Sequence, residues 1–135
     1  MTGRVPAVLF VCVRNAGKSQ MAAGLLRRRA GSTIDVTSAG TTAGTTLNAQ
    51  SVEALAEVGV DISDQQPQQL TAEMVLAADV VIVLGTQAQL DRQSGPRYET
   101  WDVDEPSGRG VDGIERMRLV RDDIARQVDA LLTRL

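Results

Sequence analysis

One stretch near the start of the chain limits the fold more than any other. Val8, Leu9, Phe10 and Val11 form a continuous apolar run, which delivers the only cysteine, Cys12, to its end. Six positions later comes the only lysine, Lys18, then Ser19, then a helical pattern. The order is strand, tight loop, helix. In that order the backbone N–H groups of a short loop curl around a tetrahedral oxyanion, and the helix N-terminus behind them adds about half a positive charge. Val13, Arg14, Asn15, Ala16, Gly17, Lys18 and Ser19 are therefore the expected oxyanion-binding loop. Asn15 and Gly17 suit backbone with positive or otherwise unusual φ. The same N–H groups and Lys18 favour the thiolate of Cys12, making it a nucleophile aimed at the bound anion. Lys18 is the sole lysine among 14 basic residues, so a lysine here is a specific choice where arginine is the chain's default.

The rest of the chain alternates strands with helices. Residues 7–11 read as a buried parallel strand and 17–29 as a helix with Met21, Ala22, Leu25 and Leu26 on its apolar stripe. Arg27, Arg28 and Arg29 read as a solvated helix end. A second strand is expected over 34–38. Asn48 is the N-cap of a helix running to residue 58, with Val52, Leu55 and Ala56 inward and Gly59 as its stop. Residues 65–69 read as a loop and 72–76 as a short helix. Residues 79–84 are a third strand and 98–103 a fourth. The loop 104–108 precedes a long helix over 111–135, on which Met117, Val120, Ile124, Val128, Leu131 and Leu135 recur at helical steps. This pattern predicts an α/β fold: a four-stranded parallel sheet with helices on both faces.

Composition narrows the function. The 135 residues suit one domain, 1–135, large enough to bury a core. Aromatic content is only 2%, so that core is aliphatic. A formal net charge of −3 with no histidine argues against nucleic-acid binding. No apolar run reaches membrane length and no signal peptide precedes the first strand, so a cytoplasmic, membrane-free protein is expected. A lone cysteine forms no internal disulfide. No Cys, His or carboxylate cluster has metal-ligand spacing, so no metal cofactor is expected.

Cys12, five intervening residues, a basic residue and Ser19, all after an N-terminal strand, resemble the low-molecular-weight tyrosine phosphatase superfamily. Within it, Cys12, Val13, Asn15, Gly17, Lys18, Ser19, Gln20, Met21 and Ala22 are most similar to the arsenate reductases, specifically the actinobacterial mycothiol-dependent type. Ser38, Ala39, Gly40 and Thr41 resemble the family's second-strand signature. The phosphatases and the thioredoxin-coupled reductases carry arginine where this chain has Lys18. Arginine grips an oxyanion with two parallel N–H bonds, whereas lysine acts as a point charge.

The resemblance implies arsenate reduction. The Cys12 thiolate attacks arsenic, and Lys18 and the loop amides stabilise the charge. Ser19 by its position is read two ways: it caps the helix or holds the loop, and its hydroxyl hydrogen-bonds the thiolate. The family places an acid immediately before a proline as general acid. Here Glu105 precedes Pro106 and Asp104 lies one step earlier, so either is a candidate. Thioredoxin-coupled relatives have a resolving cysteine after the third strand, and residues 84–95 contain none. The resemblance thus implies no bound cofactor but an external thiol, mycothiol or glutathione, with a mycoredoxin- or glutaredoxin-type reductase downstream. Three other readings stand beside it. A phosphatase acting on phosphotyrosine or small esters is opposed by Lys18 and by the scarcity of aromatics. A nucleotide-binding module is suggested by Gly17-Lys18-Ser19, yet Cys12 occupies the first glycine position and no aspartate ends the third strand. A non-catalytic oxyanion-binding domain would have kept the loop and lost the chemistry. Trp101, the only tryptophan, is expected to pack under the acid loop.

Overall fold

Strands buried on both faces need apolar residues at every position, and the first and third runs supply them. The computed structural model describes residues 5–135; residues 1–4 of the expected 1–135 domain lie outside the described residues. The strands are β1 (Ala7–Cys12), β2 (Asp35–Gly40), β3 (Val80–Leu84) and β4 (Arg97–Trp101). The helices are α1 (Lys18–Ala30), α2 (Ala49–Ala56), α3 (Ala72–Ala77) and α4 (Gly113–Leu132). All strand pairs are parallel, in the order β2-β1-β3-β4. This is the expected four-stranded α/β architecture.

Alternation along the strands sorts two cores. Val8, Phe10, Val80, Ile82 and Leu84 face α1, α2 and α4, while Leu9, Val11, Val81 and Val83 face Val75 and Ala78 at α3. Trp101 is buried and packs edge-on to Phe10, with ring centroids 5.6 Å apart, as expected of a core residue. From β1 the chain crosses to β2 on one side and later to β3 on the other. The sheet's switch point therefore lies between β1 and β3, at the C-terminal ends of the strands, where α/β sheets open a crevice. Cys12 is the last residue of β1 and sits at that opening.

Several expectations are corrected. Ala56 is exposed, and α2 instead buries Ser51, Ala54 and Leu55 where it packs on α4 and α1. Leu135 is exposed beyond the end of α4. The arginines closing α1 are not simply solvated. Arg27 is half-buried and donates to the Val36 carbonyl at 3.1 Å. Burial lowers its pKa, with Asp64 and Asp35 opposing the shift. Arg29 pairs with Asp129 of α4. Asn48 caps α2 as expected, its side chain accepting from the Ser51 N–H at 2.9 Å. Among the described residues no helix is long and apolar enough to cross a membrane.

Candidate active site

The loop between β1 and α1 is built by pinning its carbonyls outward. Thr41 N–H donates to the Cys12 carbonyl, Thr42 to Val13, Gly44 to Arg14 and Asn48 to Ala16, at 2.8–3.0 Å. The segment that follows β2 thus uses the loop's acceptors and leaves its donors. The N–H groups of Arg14, Ala16, Gly17 and Lys18 take no part in these backbone bonds. Together they form an anion nest ahead of the free first turn of α1. Gly40 lies directly beneath. A Cβ there would stand 2.7 Å from the Val13 oxygen and 2.9 Å from the Asn15 nitrogen, so only glycine lets the loop cross the end of β2.

Asn15 is buried at φ 55, the only non-glycine residue with positive φ among the described residues. Its N–H donates to Cys12 Sγ at 3.2 Å. Its Oδ1 accepts from Gln68 N–H at 2.9 Å and from Gln20 Nε2 at 3.1 Å. A backbone N–H can only donate, so the Asn15 amide has one orientation and its Nδ2 must face Ser19 Oγ, at 2.7 Å. Ser19 Oγ accepts there and lies 3.0 Å from Cys12 Sγ, in a hydrogen bond that either atom can donate. The sulfur thus accepts from the Asn15 N–H and has the Ser19 hydroxyl beside it. Gly17 differs from expectation. Its φ is −136, and its smallness serves space, since a Cβ would meet Ser51 Oγ at 3.3 Å.

A cleft of about 410 Å³ opens over the sulfur. Cys12, Val13, Arg14, Lys18 and Glu105 line it, with Leu84, Gly85, Thr86, Gln87, Asp102 and Val103. No aromatic side chain does. Of the expected oxyanion-binding loop, Asn15 and Ser19 stand buried behind it, and Ala16 and Gly17 do not line the cleft. The two candidate acids separate clearly. Asp104 is absent from the lining, and Arg109 grips both its oxygens at 2.8 and 3.1 Å. Glu105 reaches over the cleft, with Oε1 3.1 Å from Lys18 Nζ. Arg116 of α4 holds both Glu105 oxygens at 2.9–3.2 Å, and Ser107 Oγ donates at 3.1 Å. Burial alone would raise the Glu105 pKa, but the hydrogen bonds from Lys18 and Arg116 outweigh it and hold the carboxyl below its ordinary value. The Arg109 hydrogen bonds hold Asp104 low as well.

Sequence reasoning assigned no role to Gln20, Gln68 or Arg116. Gln20 is a buried glutamine that ties Asn15 to the Gln66 carbonyl. A polar residue between Ser19 and the apolar stripe of α1 was its signal. Arg116 gave none, because an arginine on a helix reads as a solvated charge. Among the described residues no group of three or more His, Cys, Asp or Glu is placed to hold a metal.

Comparison with known proteins bears on this geometry. Residues 7–135 match the family described as low molecular weight phosphotyrosine protein phosphatase. A putative arsenate reductase of Halobacterium salinarum is 30% identical over 125 residues, 88% of this chain and 85% of that protein. A probable low molecular weight protein-tyrosine-phosphatase of Ralstonia solanacearum is also 30% identical, over 97% of each chain. The structure of a thioredoxin-dependent arsenate reductase of Corynebacterium glutamicum superposes with a TM-score of 0.79 at 34% identity. It covers 96% of this chain, but this chain spans only 60% of its length.

Proposed function

Since the chain belongs to the low molecular weight phosphotyrosine protein phosphatase family, we propose that it works as an arsenate reductase of that family, finished by an external thiol, foremost mycothiol. The observation that carries this reading is a sole thiol, Cys12, hydrogen-bonded to the Asn15 N–H and to the Ser19 hydroxyl, at the floor of a cleft without aromatics. A cleft of this size, about 410 Å³, lies within the range that accepts small organic ligands.

The Cys12 thiolate attacks arsenic. A sulfur–arsenic bond forms, an arsenic–oxygen bond breaks, and the departing oxygen takes a proton from Glu105 and leaves as water. Lys18 and the loop amides neutralise the oxyanion. In the empty site Lys18 and Arg116 favour ionised Glu105, which has no proton to give. An arriving oxyanion claims Lys18, and its negative charge close to the carboxylate favours the protonated form. With no second cysteine within these residues, Cys12 is released by exchange. The external thiol forms its own bond to arsenic, the Cys12–arsenic bond breaks, and the thiol's proton completes the balance. Electrons move only in the next step. A thiolate of a mycoredoxin- or glutaredoxin-type reductase attacks the adduct's sulfur, and the sulfur–arsenic bonding pair leaves with arsenic as arsenite.

The phosphatase reading shares the attack by Cys12 and is supported by the Ralstonia relative, as similar as the Halobacterium one. It differs in the leaving group and in needing no thiol. The nucleotide-binding and non-catalytic readings lose ground to the family match over residues 7–135 and to the hydrogen bonds at the sulfur. One experiment separates the rest. Arsenate turnover is measured with mycothiol plus mycoredoxin, with glutathione plus glutaredoxin and with thioredoxin alone, beside para-nitrophenyl phosphate hydrolysis without thiol. Turnover with a low-molecular-weight thiol is expected. Hydrolysis of the aryl phosphate without any arsenate turnover overturns the reading, and turnover with thioredoxin alone overturns the external-thiol step.

A further inference from the structure

The acid loop is held by its own neighbours Ser107 and Arg109 and also from outside. Three residues of α4 grip it. Arg116 takes both oxygens of Glu105, Asp123 Oδ2 accepts from Asp104 N–H at 2.7 Å, and Gln127 Nε2 donates to the Asp102 carbonyl at 2.9 Å. These positions are spaced by seven and four, so they share one face of the helix. Of the three, only Arg116 touches the side chain that hangs over the cleft.

The contacts to Glu105 are unequal in what happens when the site fills. Lys18 lies 3.1 Å from Oε1, and its ammonium is the charge the incoming oxyanion needs. Ser107 offers a single hydroxyl from within the same turn. Arg116 offers a fork from outside the loop, and its hold on the carboxylate does not compete with the anion. The other charged residues lining this cleft are Arg14 and Asp102, and no hydrogen bond or ion pair joins either of them to Glu105.

We infer that Arg116 is a positioning residue of this site, keeping the Glu105 carboxyl over the cleft once a bound oxyanion has taken Lys18 away from it. The inference rests on the reading of Glu105 as the acid that protonates the leaving oxygen. A general acid contributes roughly 10²–10⁴ in rate when well placed, so releasing it from its holder costs part of that factor while leaving anion binding to Lys18 and the loop. Lysine replaces the charge but not the two-point grip.

The test compares wild type, Arg116→Gln and Arg116→Lys in two readouts. The first is arsenate turnover with an external thiol. Arg116→Gln is expected to lower kcat at least tenfold with the KM for arsenate changed by no more than about twofold, and Arg116→Lys to fall between. The second is amide hydrogen exchange across residues 102–109, with and without saturating inorganic phosphate. In Arg116→Gln the protection of this loop is expected to fall at least tenfold when phosphate is bound, and by much less when Lys18 is free to hold Glu105. A wild type that reduces no arsenate, with the exchange pattern as described, sinks the reductase reading and leaves the positioning role standing. An Arg116→Gln enzyme with wild-type kcat and wild-type exchange under phosphate overturns the inference. Absence of phosphate binding in wild type overturns it together with the reading beneath it.

Discussion

Ser19 stands between Asn15 and Cys12. Nδ2 of Asn15 donates to its hydroxyl, and a thiolate at Cys12, which can only accept, takes the hydroxyl's own hydrogen. Ser19→Ala removes a donor to the thiolate and strands a buried amide group, a penalty of about 1–3 kcal/mol. The expected result is a kcat for arsenate lowered at least tenfold and a reduced midpoint in urea; wild-type turnover in this variant would show that the hydroxyl does not serve the sulfur. The acids make a second residue-level case. Glu105 faces the cleft and Asp104 is spent on Arg109. Glu105→Gln is therefore expected to slow arsenate turnover at least tenfold, while its affinity for inorganic phosphate, measured by calorimetry, holds or tightens because Lys18 is released. Asp104→Asn is expected to stay within about threefold of wild type. The reverse ranking would transfer the acid role to Asp104. Much of this was legible one residue at a time. Asn15 at positive φ, Cys12 at the strand end and Ser19 behind it follow from residue type and spacing alone. The choice between Asp104 and Glu105 was not legible, because it turns on partners 5 and 11 positions further along the chain.

At the scale of elements, the end of β2 supports the loop after β1. Gly40 bonds backbone-to-backbone with Gln68 and Leu70 and leaves no room for a side chain under Val13, Arg14 and Asn15. The atoms in the way are all backbone, which cannot swing aside. Gly40→Ala must therefore displace the oxyanion loop, with an overpacking cost of about 1–3 kcal/mol. Phosphate affinity is expected to fall at least tenfold, with the protein still folded. Gly44→Ala is the matched control, since a Cβ there meets nothing closer than 3.8 Å, and its phosphate affinity is expected to stay within about twofold. If the two variants bind phosphate alike, the crossing at Gly40 is not what shapes the loop. Strands and helices were legible because β1 and β3, buried on both faces, must be continuous apolar runs, and because Asn48 announces α2. The ends were less so. The fourth strand stops at Trp101, short of its apolar pattern, because α4 takes the following carbonyl and N–H groups at Asp102 and Asp104. Such long-range capture leaves no local mark on the sequence.

Across the whole molecule, the two halves of the candidate site hang from two different helices. The N-terminus of α2 holds the oxyanion loop through Asn48 N–H on the Ala16 carbonyl, and α4 holds the acid loop through Arg116, Asp123 and Gln127. The distance between nucleophile and acid is therefore set partly by how α2 sits on α4. Glu57, at the C-cap of α2, ties them. Arg118 donates to it at 2.6–3.1 Å and Arg121 at 2.9 Å, and Arg121 also donates to the Ala54 carbonyl in the last turn of α2. The Arg118 hydrogen bond is the main cause that lowers the Glu57 pKa from 4.5 to about 2; burial opposes it, and Arg121 adds to the lowering. The sign follows from that direction. A carboxylate whose folded pKa is depressed contributes stability above its unfolded value, and the contribution is lost as pH falls from about 4.5 through about 2. Because the group is solvent-screened, the effect is modest at any pH. Comparing wild type with Glu57→Gln isolates it from the other carboxylates that titrate in the same range. Urea midpoints measured from pH 7 down to pH 2.5 are expected to show wild type ahead at neutral pH, with the gap unchanged to about pH 5 and narrowing steadily below it. Added salt at pH 7 should narrow the gap as well, since part of the attraction is screened. A gap that persists undiminished to pH 2.5 would mean that Glu57 acts through packing and not through its charge. The brace between the two halves of the site would then have to be sought in the contact of Ser51 Oγ with Met117 Sδ, 3.6 Å apart where α2 meets α4.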